Sequence, residues 1–169
     1  MKFRLLKANE IDVRVGTMSE KGASLLLYKD SRTDMDILDE TGARWKREHR
    51  SINGKLFCTV SIYDTEIGEW VERQDVGVES NTEATKGEAS DSFKRACVNW
   101  GIGRELYTAP FIWVSAAKIN MTKNKSGKPS TYDKFSVEKI EYDDNNEIAK
   151  ISIMNNTKKE RVYIYTGDK

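Results

Sequence analysis

Lys94 and Arg95 stand side by side in a stretch, Ser80-Asn-Thr-Glu-Ala-Thr-Lys-Gly-Glu-Ala-Ser-Asp-Ser-Phe-Lys-Arg-Ala-Cys-Val-Asn-Trp-Gly-Ile-Gly103, whose other residues read as a helix. Adjacent cations on a rigid element suit successive phosphates of a polyanion, because each neutralised phosphate releases condensed counterions. A second basic cluster, Arg44-Trp-Lys-Arg-Glu-His-Arg50, sets four Lys or Arg against one Glu. A third stretch, 115–132, holds Lys118, Lys123, Lys125 and Lys128 and no acid, and with Gly127-Lys-Pro129 it reads as a mobile cationic loop. The competing reading of the first pair is that Asp91, at i+3 and i+4, neutralises Lys94 and Arg95.

Other chemistry is poorly supplied. His49 is the one histidine and has no Cys-x-x-Cys partner, which leaves no material for histidine relays or a structural zinc site. No phosphate-binding loop is present, and Gly101-Ile-Gly103 falls at the wrong end of its helix for a dinucleotide fingerprint. Asp64, Asp75 and Glu79 are the acids that a Mg²⁺-dependent nuclease would use, but they sit where turns and strand edges are expected. A binding protein is the better class.

The elements that position the cations follow from periodicity. Ser80 with Glu83, and Thr85 with Glu88, are two capping-box spacings, and Ala89, Phe93, Ala96, Cys97 and Trp100 make one apolar helical face. Lys94 and Arg95 then fall on the flanks of the opposite face, and Gly101 and Gly103 stop the helix. Upstream, residues 44–79 read as an antiparallel meander: a basic strand, an Asn53-Gly54 turn, a strand over 56–63, a turn at 64–68 and a strand over 69–78. Trp45, Phe57, Tyr63 and Trp70 read as core and cross-strand residues rather than base-stacking platforms. Residues 24–29 suit a buried strand, and 30–42 a helix with Met35, Ile37 and Leu38 inward and Gly42 as its stop. Arg32 sits in that helix's first turn, where the macrodipole disfavours a cation, unless Asp36 pairs with it. A short helix is expected over 9–16, capped by Asn9, with Ile11 and Val15 inward and Arg14 at the surface. After Pro110 a short strand is expected over 111–114, and the tail, 134–165, alternates as a three-stranded β-meander.

At 169 residues the chain suits one main domain, and 28 Lys or Arg against 27 Asp or Glu leave any polyanion site to local arrangement. Cys58 and Cys97 lie in apolar patterns and read as buried thiols of a reducing compartment. No signal-type or membrane-spanning run is visible, so an intracellular protein is expected. The fold class expected is α+β, a β-β-β-α core with an antiparallel meander on a long central helix, plus a C-terminal β-meander. The division expected is 1–114 as the core, 115–132 as a basic loop and 133–169 as a meander packing on the core.

The run Lys86-Gly-Glu-Ala-Ser-Asp-Ser-Phe-Lys-Arg-Ala-Cys-Val-Asn-Trp-Gly101 resembles the signature helix of the Rad52 family of single-strand annealing proteins. Tyr28-Lys-Asp-Ser-Arg32, Ile37-Leu-Asp-Glu-Thr-Gly42 and Trp45 resemble the family's first strand, helix and entry into the hairpin. Asn53-Gly-Lys55 and Glu72-Arg-Gln-Asp-Val-Gly77 are similar to that hairpin and its exit. The details look like the phage and prophage branch, which implies the cytoplasm of a bacterial host. The resemblance implies a DNA annealing protein without nucleotide hydrolysis or cofactor, active in recombination and double-strand break repair. It would assemble as a ring of roughly ten subunits or a helical filament, and hold single-stranded DNA in a basic groove where a complementary strand can pair. By position it implies Arg32, Lys94 and Arg95 as inner-groove cations. Lys55, with Arg47, Lys86 and Lys123 beside it as candidates, would serve a second, outer DNA site. A host single-strand-binding protein is a further partner implied. The alternatives are the nuclease above and a coating protein that binds single strands without annealing them.

Overall fold

The computed structural model describes residues 1–78 and 84–167, with the backbone alone at 84–86. The elements in chain order are β1 (Ile11–Ser19), β2 (Gly22–Lys29), α1 (Ser31–Glu40), β3 (Trp45–Ile52), β4 (Lys55–Asp64), β5 (Glu69–Val76) and α2 (Ala84–Trp100). They continue with β6 (Ile112–Ser115), β7 (Thr122–Lys123), β8 (Pro129–Ser130), β9 (Phe135–Tyr142), β10 (Ile148–Asn155) and β11 (Glu160–Thr166). The protein is thus α+β with antiparallel sheets and, among the described residues, two α-helices. No described helix is long and apolar enough to cross a membrane. The chain divides into two compact units, residues 1–5 with 29–104 and residues 6–28 with 105–169.

In the first unit β3, β4 and β5 form the expected antiparallel meander, and α2 packs on one face of it. The alternation of β4 puts Cys58, Val60 and Ile62 on that face, where they are buried with Phe93, Ala96 and Cys97 of α2. Both cysteines are free thiols in this core, and burial pushes Cys58 up to about 11 and Cys97 higher still. The β3–β4 turn has Asn53 at φ 52° and Gly54 at φ 75°, the two left-handed residues that a type I′ hairpin requires. α1 starts where expected: the Asp30 carboxylate accepts the Arg32 N–H at 2.7 Å. The capping-box residues Ser80 and Glu83 lie outside the described residues, as does the side chain of Thr85.

The second unit is built on a six-stranded sheet in the order β11-β10-β9-β1-β2-β6. The predicted tail meander is β9–β11, and β9 pairs with β1 through Asp12↔Ser136 and Val13↔Phe135. The helix expected over 9–16 is instead mostly β1, preceded by a three-residue 3₁₀ turn, Ala8–Glu10. Ile11, Val13 and Val15 are β-branched and alternate with Asp12 and Arg14, and the open edge of β9 converts that pattern into strand. The loop expected over 115–132 is ordered: a 3₁₀ turn, Ala116–Lys118, leads to the β7–β8 hairpin, whose turn is held by Asn124 Oδ1 accepting the Ser126 and Lys128 N–H groups at 3.0 Å each. Ile11, Leu25, Ile112, Val114, Ile151 and Ile153 form the core. The sheet curls until its end strands meet, with the Tyr163 hydroxyl donating to the Phe111 carbonyl at 3.3 Å.

Candidate nucleic-acid interface

α2 is pinned to its sheet along most of its length. Glu88 accepts the Leu56 N–H at 2.9 Å, and the Ala89 carbonyl lies 3.0 Å from His49 Nε2. Asn99 donates to the Gln74 carbonyl at 2.9 Å and the Trp100 indole to the Val60 carbonyl at 3.0 Å. Asp91, a partner of Lys94 and Arg95 by spacing alone, accepts the Val78 N–H at 3.0 Å instead. Most polar side chains of the signature helix are therefore consumed in docking it, since a buried donor or acceptor left unpaired costs about 1–3 kcal/mol.

Two cations of that helix have different fates. Arg95 turns toward β5, its Nε 3.3 Å and Nη2 3.4 Å from Asp75 Oδ1, and its side chain is 43% exposed. It is not the free outer-face cation that helical spacing predicts, because Asp75 points from β5 at the same flank of the helix and also accepts from Asn99 at 3.3 Å. Lys94 is half-buried, and among the described residues its ammonium has no hydrogen-bond or ion-pair partner. Arg32 is exposed on the first turn of α1 and is likewise without a side-chain partner among the described residues; the pairing with Asp36 is not formed.

Lys29 and Asp34 join the elements that carry these cations, and sequence reasoning missed both. Lys29 is 6% and Asp34 0% exposed. The Lys29 ammonium lies against Asp34 Oδ1 and also donates to the Lys94 carbonyl at 3.3 Å. Burial pushes the Asp34 carboxyl up to about 6, against the opposing pull of Lys29 and then Lys94. The available signal was a lysine closing the apolar run Leu25-Leu-Leu-Tyr28 five residues before an aspartate.

The remaining candidates are scattered. Arg47 lies on the α2 side of the sheet with its guanidinium 4.7 Å over the Phe93 ring, which also stacks on Trp45 at 6.2 Å. Lys55 is exposed beside the Asn53-Gly54 turn. Lys86 belongs to α2, but its side chain lies outside the described residues. Lys123 is exposed on β7, in the second unit. The opposite face of the β3–β5 sheet carries Tyr63 and the 40% exposed Trp70 in edge contact at 5.5 Å, topped by Arg44 at 4.1 Å and Lys46 at 4.7 Å. Tyr63 and Trp70 are the cross-strand pair expected, but strand alternation puts them, with Phe57, on the face away from α2 rather than in the core.

Of the acids considered for metal binding, Asp64 accepts turn N–H groups from Glu66 and Ile67 at 2.9 and 3.4 Å, and Asp75 holds Arg95. Glu79 lies outside the described residues. Among the described residues no three His, Cys, Asp or Glu side chains gather where they could share a metal ion.

A three-stranded antiparallel sheet docked on a helix, with cations on that helix and on α1 that have no partner among the described residues, defines an α+β module. The family model of Rad52/22 family double-strand break repair proteins matches residues 6–126, and the chain belongs to that family. It is 35% identical over 102 residues to the single-stranded DNA-binding protein DdrA of Deinococcus deserti, covering 59% of this chain and 50% of the relative. It is 38% identical over 94 residues to DdrA of Deinococcus radiodurans, covering 54% and 44% respectively. The chain thus spans about half the length of these curated relatives. No solved structure matches it significantly.

Proposed function

We propose that the protein binds single-stranded DNA by its backbone and anneals it to a complementary strand, without nucleotide hydrolysis. The observation that carries this reading is the division of labour on α2: its polar side chains are spent on the sheet while the Lys94 ammonium is left without a partner among the described residues. Arg32, without a side-chain partner among the described residues and held on the helix that Lys29 and Asp34 tie to Lys94, supplies a second phosphate contact. Contacts of this kind hold phosphates without reading bases, which leaves base edges free to pair. Membership of a double-strand break repair family and likeness to two single-stranded DNA-binding proteins support the reading. Assembly into a ring or filament fits the sheet, in which, among the described residues, β3 and β5 each have one strand neighbour. Lys55, at the hairpin tip, is the proposed contact for a second strand.

Annealing of complementary oligonucleotides, followed by fluorescence, tests this. Lys94→Ala with Arg32→Ala abolishes annealing and weakens single-strand binding while leaving the circular dichroism unchanged; a wild-type annealing rate would refute the site. Lys55→Ala slows annealing and spares first-strand binding. The exposed Trp70 with its Lys46 neighbour favours a second reading, a coating protein that stacks bases. In that case oligonucleotides bind but their pairing is not accelerated.

A further inference from the structure

We propose that the lysine-rich end of the second unit is a separate single-strand-binding site, gripping phosphates with lysines and stacking a base on Tyr132. The proposal goes beyond the groove reading and does not rest on it. Five of its residues, Lys128, Tyr132, Lys134, Lys158 and Lys159, lie beyond residue 126, where the family match ends.

The site is built around a buried amide and a buried carboxylate. Asn155, fully buried, donates to Asp133 at 2.7 Å and to the Lys118 carbonyl at 3.1 Å. Its Oδ1 accepts the Thr157 and Lys158 N–H groups at 3.1 Å each. Asp133 also accepts the Asn120 N–H and side-chain amide, both at 2.8 Å. The Lys134 N–H donates to Thr157 Oγ1 at 3.1 Å and its carbonyl accepts the Asn156 N–H at 2.7 Å. The Lys158 ammonium donates to the Ala117 carbonyl at 2.9 Å. This network locks three segments together: the 116–118 turn, the start of β9 and the β10–β11 turn. The β7–β8 hairpin is rooted in it at Asn120 and Asp133.

Lysines ring that network. Lys118, Lys134 and Lys159 are exposed around it, Lys158 is half-buried, and the hairpin adds exposed Lys123, Lys125 and Lys128. Acids also lie beside these seven lysines. Glu20 borders Lys123, Glu160 adjoins Lys159, and Asp133 has its oxygens taken by amide donors. Burial raises the Asp133 carboxyl, but the Asn120 N–H and the two side-chain amides outweigh it and hold the group below its ordinary range. A surplus of positive charge on a rigid base is left facing water.

Tyr132 identifies the ligand. Between Thr131 and the network's Asp133, and two residues from the exposed Lys134, it is 82% exposed, with its aromatic ring uncovered. Of the polyanions, a single strand uses both features, because it offers phosphates to ammonium groups and an unstacked base to the ring. A duplex keeps its bases stacked on one another, and an acidic protein segment has no flat face to offer.

The test is fluorescence anisotropy of the full chain with labelled oligothymidine and a duplex of equal length, across a range of salt. Replacing Lys123, Lys125, Lys128 and Lys134 with alanine weakens binding and flattens the slope of log K against log salt by about 0.7 for each phosphate no longer neutralised. Tyr132→Ala weakens single-strand binding about tenfold, Tyr132→Phe restores it, and neither changes duplex binding. A Lys94→Ala/Arg95→Ala protein keeps this Tyr132-dependent binding even where annealing is lost. A wild-type salt slope in the lysine variant, indifference to Tyr132→Ala, or disappearance of all binding with the groove cations would each overturn the separate site.

Discussion

Lys29 and Asp34 form an ion pair inside the first unit, and the same ammonium donates to the Lys94 carbonyl at 3.3 Å. One buried lysine thereby ties α1, which carries Arg32, to the turn of α2 that carries Lys94. Asp34 Oδ2 is buried without a hydrogen bond among the described residues, so the pair is only partly satisfied. Breaking a buried pair from one side leaves an uncompensated charge and costs about 3–5 kcal/mol, whereas replacing both partners with apolar residues of similar volume is often neutral. Lys29→Met is expected to lower the stability of the unit by about that amount, and Lys29→Met with Asp34→Leu to recover most of it. Denaturant titration of the three proteins measures this; equal stabilities would mean that the pair is solvated in solution.

The pair also gives stability a pH dependence of unusual sign. The Asp34 carboxyl is pushed up to about 6 in the fold, by burial first, from 3.8 in its ordinary state. The folded state therefore holds the proton more tightly than the unfolded chain, and stability falls as pH rises through that window, by on the order of 3 kcal/mol. Above pH 6 the loss is complete, and below about pH 4 it vanishes. Asp34→Asn cannot titrate and mimics the protonated state, so this part of the pH dependence disappears and the substitution costs less at neutral pH than Lys29→Met. Thermal melts of both proteins between pH 4 and 7 check the sign, and a wild-type stability that rose through this window on account of Asp34 would contradict it.

Gly77 closes β5 against the first described turns of α2. A Cβ there would sit 2.2 Å from the Glu88 carbonyl oxygen and 2.9 Å from Glu88 Cγ, at the residue whose carboxylate holds the Leu56 N–H. Backbone meets backbone, so no side-chain rotation relieves the overlap. Gly77→Ala is expected to cost at least the ~1–3 kcal/mol of ordinary overpacking. The loss is read as a lower denaturant midpoint, and an unchanged midpoint would mean that α2 sits further from β5.

What was legible in the sequence was what local patterns decide. The period-2 runs and the Asn53-Gly54 turn located the β3–β5 meander, and glycines marked the ends of α1 and α2. β1 was misread because Asn9 and Gly16 look like helix punctuation, although its β-branched alternation suits a strand once β9 is beside it. The fate of the cations was less legible, because it depends on which residues of other elements face the helix. The β4–β5 register sets Asp75 opposite Cys58, and that places a carboxylate next to Arg95 rather than in a turn. Likewise the parity of Trp45, Arg47 and His49 directs Arg47 onto Phe93, away from the face that carries Lys46 and Trp70.

Asp75 and Arg95 offer the sharpest test of the groove, because a structural role and a binding role for Arg95 predict opposite results. Asp75→Asn removes the carboxylate facing the guanidinium while leaving an amide oxygen for Asn99. If Arg95 swings out to phosphates, losing Asp75 removes its competitor. Single-strand affinity then rises, and the slope of log K against log salt steepens by up to about 0.7, the value for one more neutralised phosphate. Arg95→Ala gives the reverse and also makes the Asp75→Asn effect disappear in the double variant. If Arg95 serves only to hold β5 on α2, Asp75→Asn lowers the melting temperature and leaves the salt slope unchanged. The pair is partly exposed and surface pairs of this kind contribute little to stability, about 0–1 kcal/mol, so the expected reading is in the binding isotherm, not in the melt.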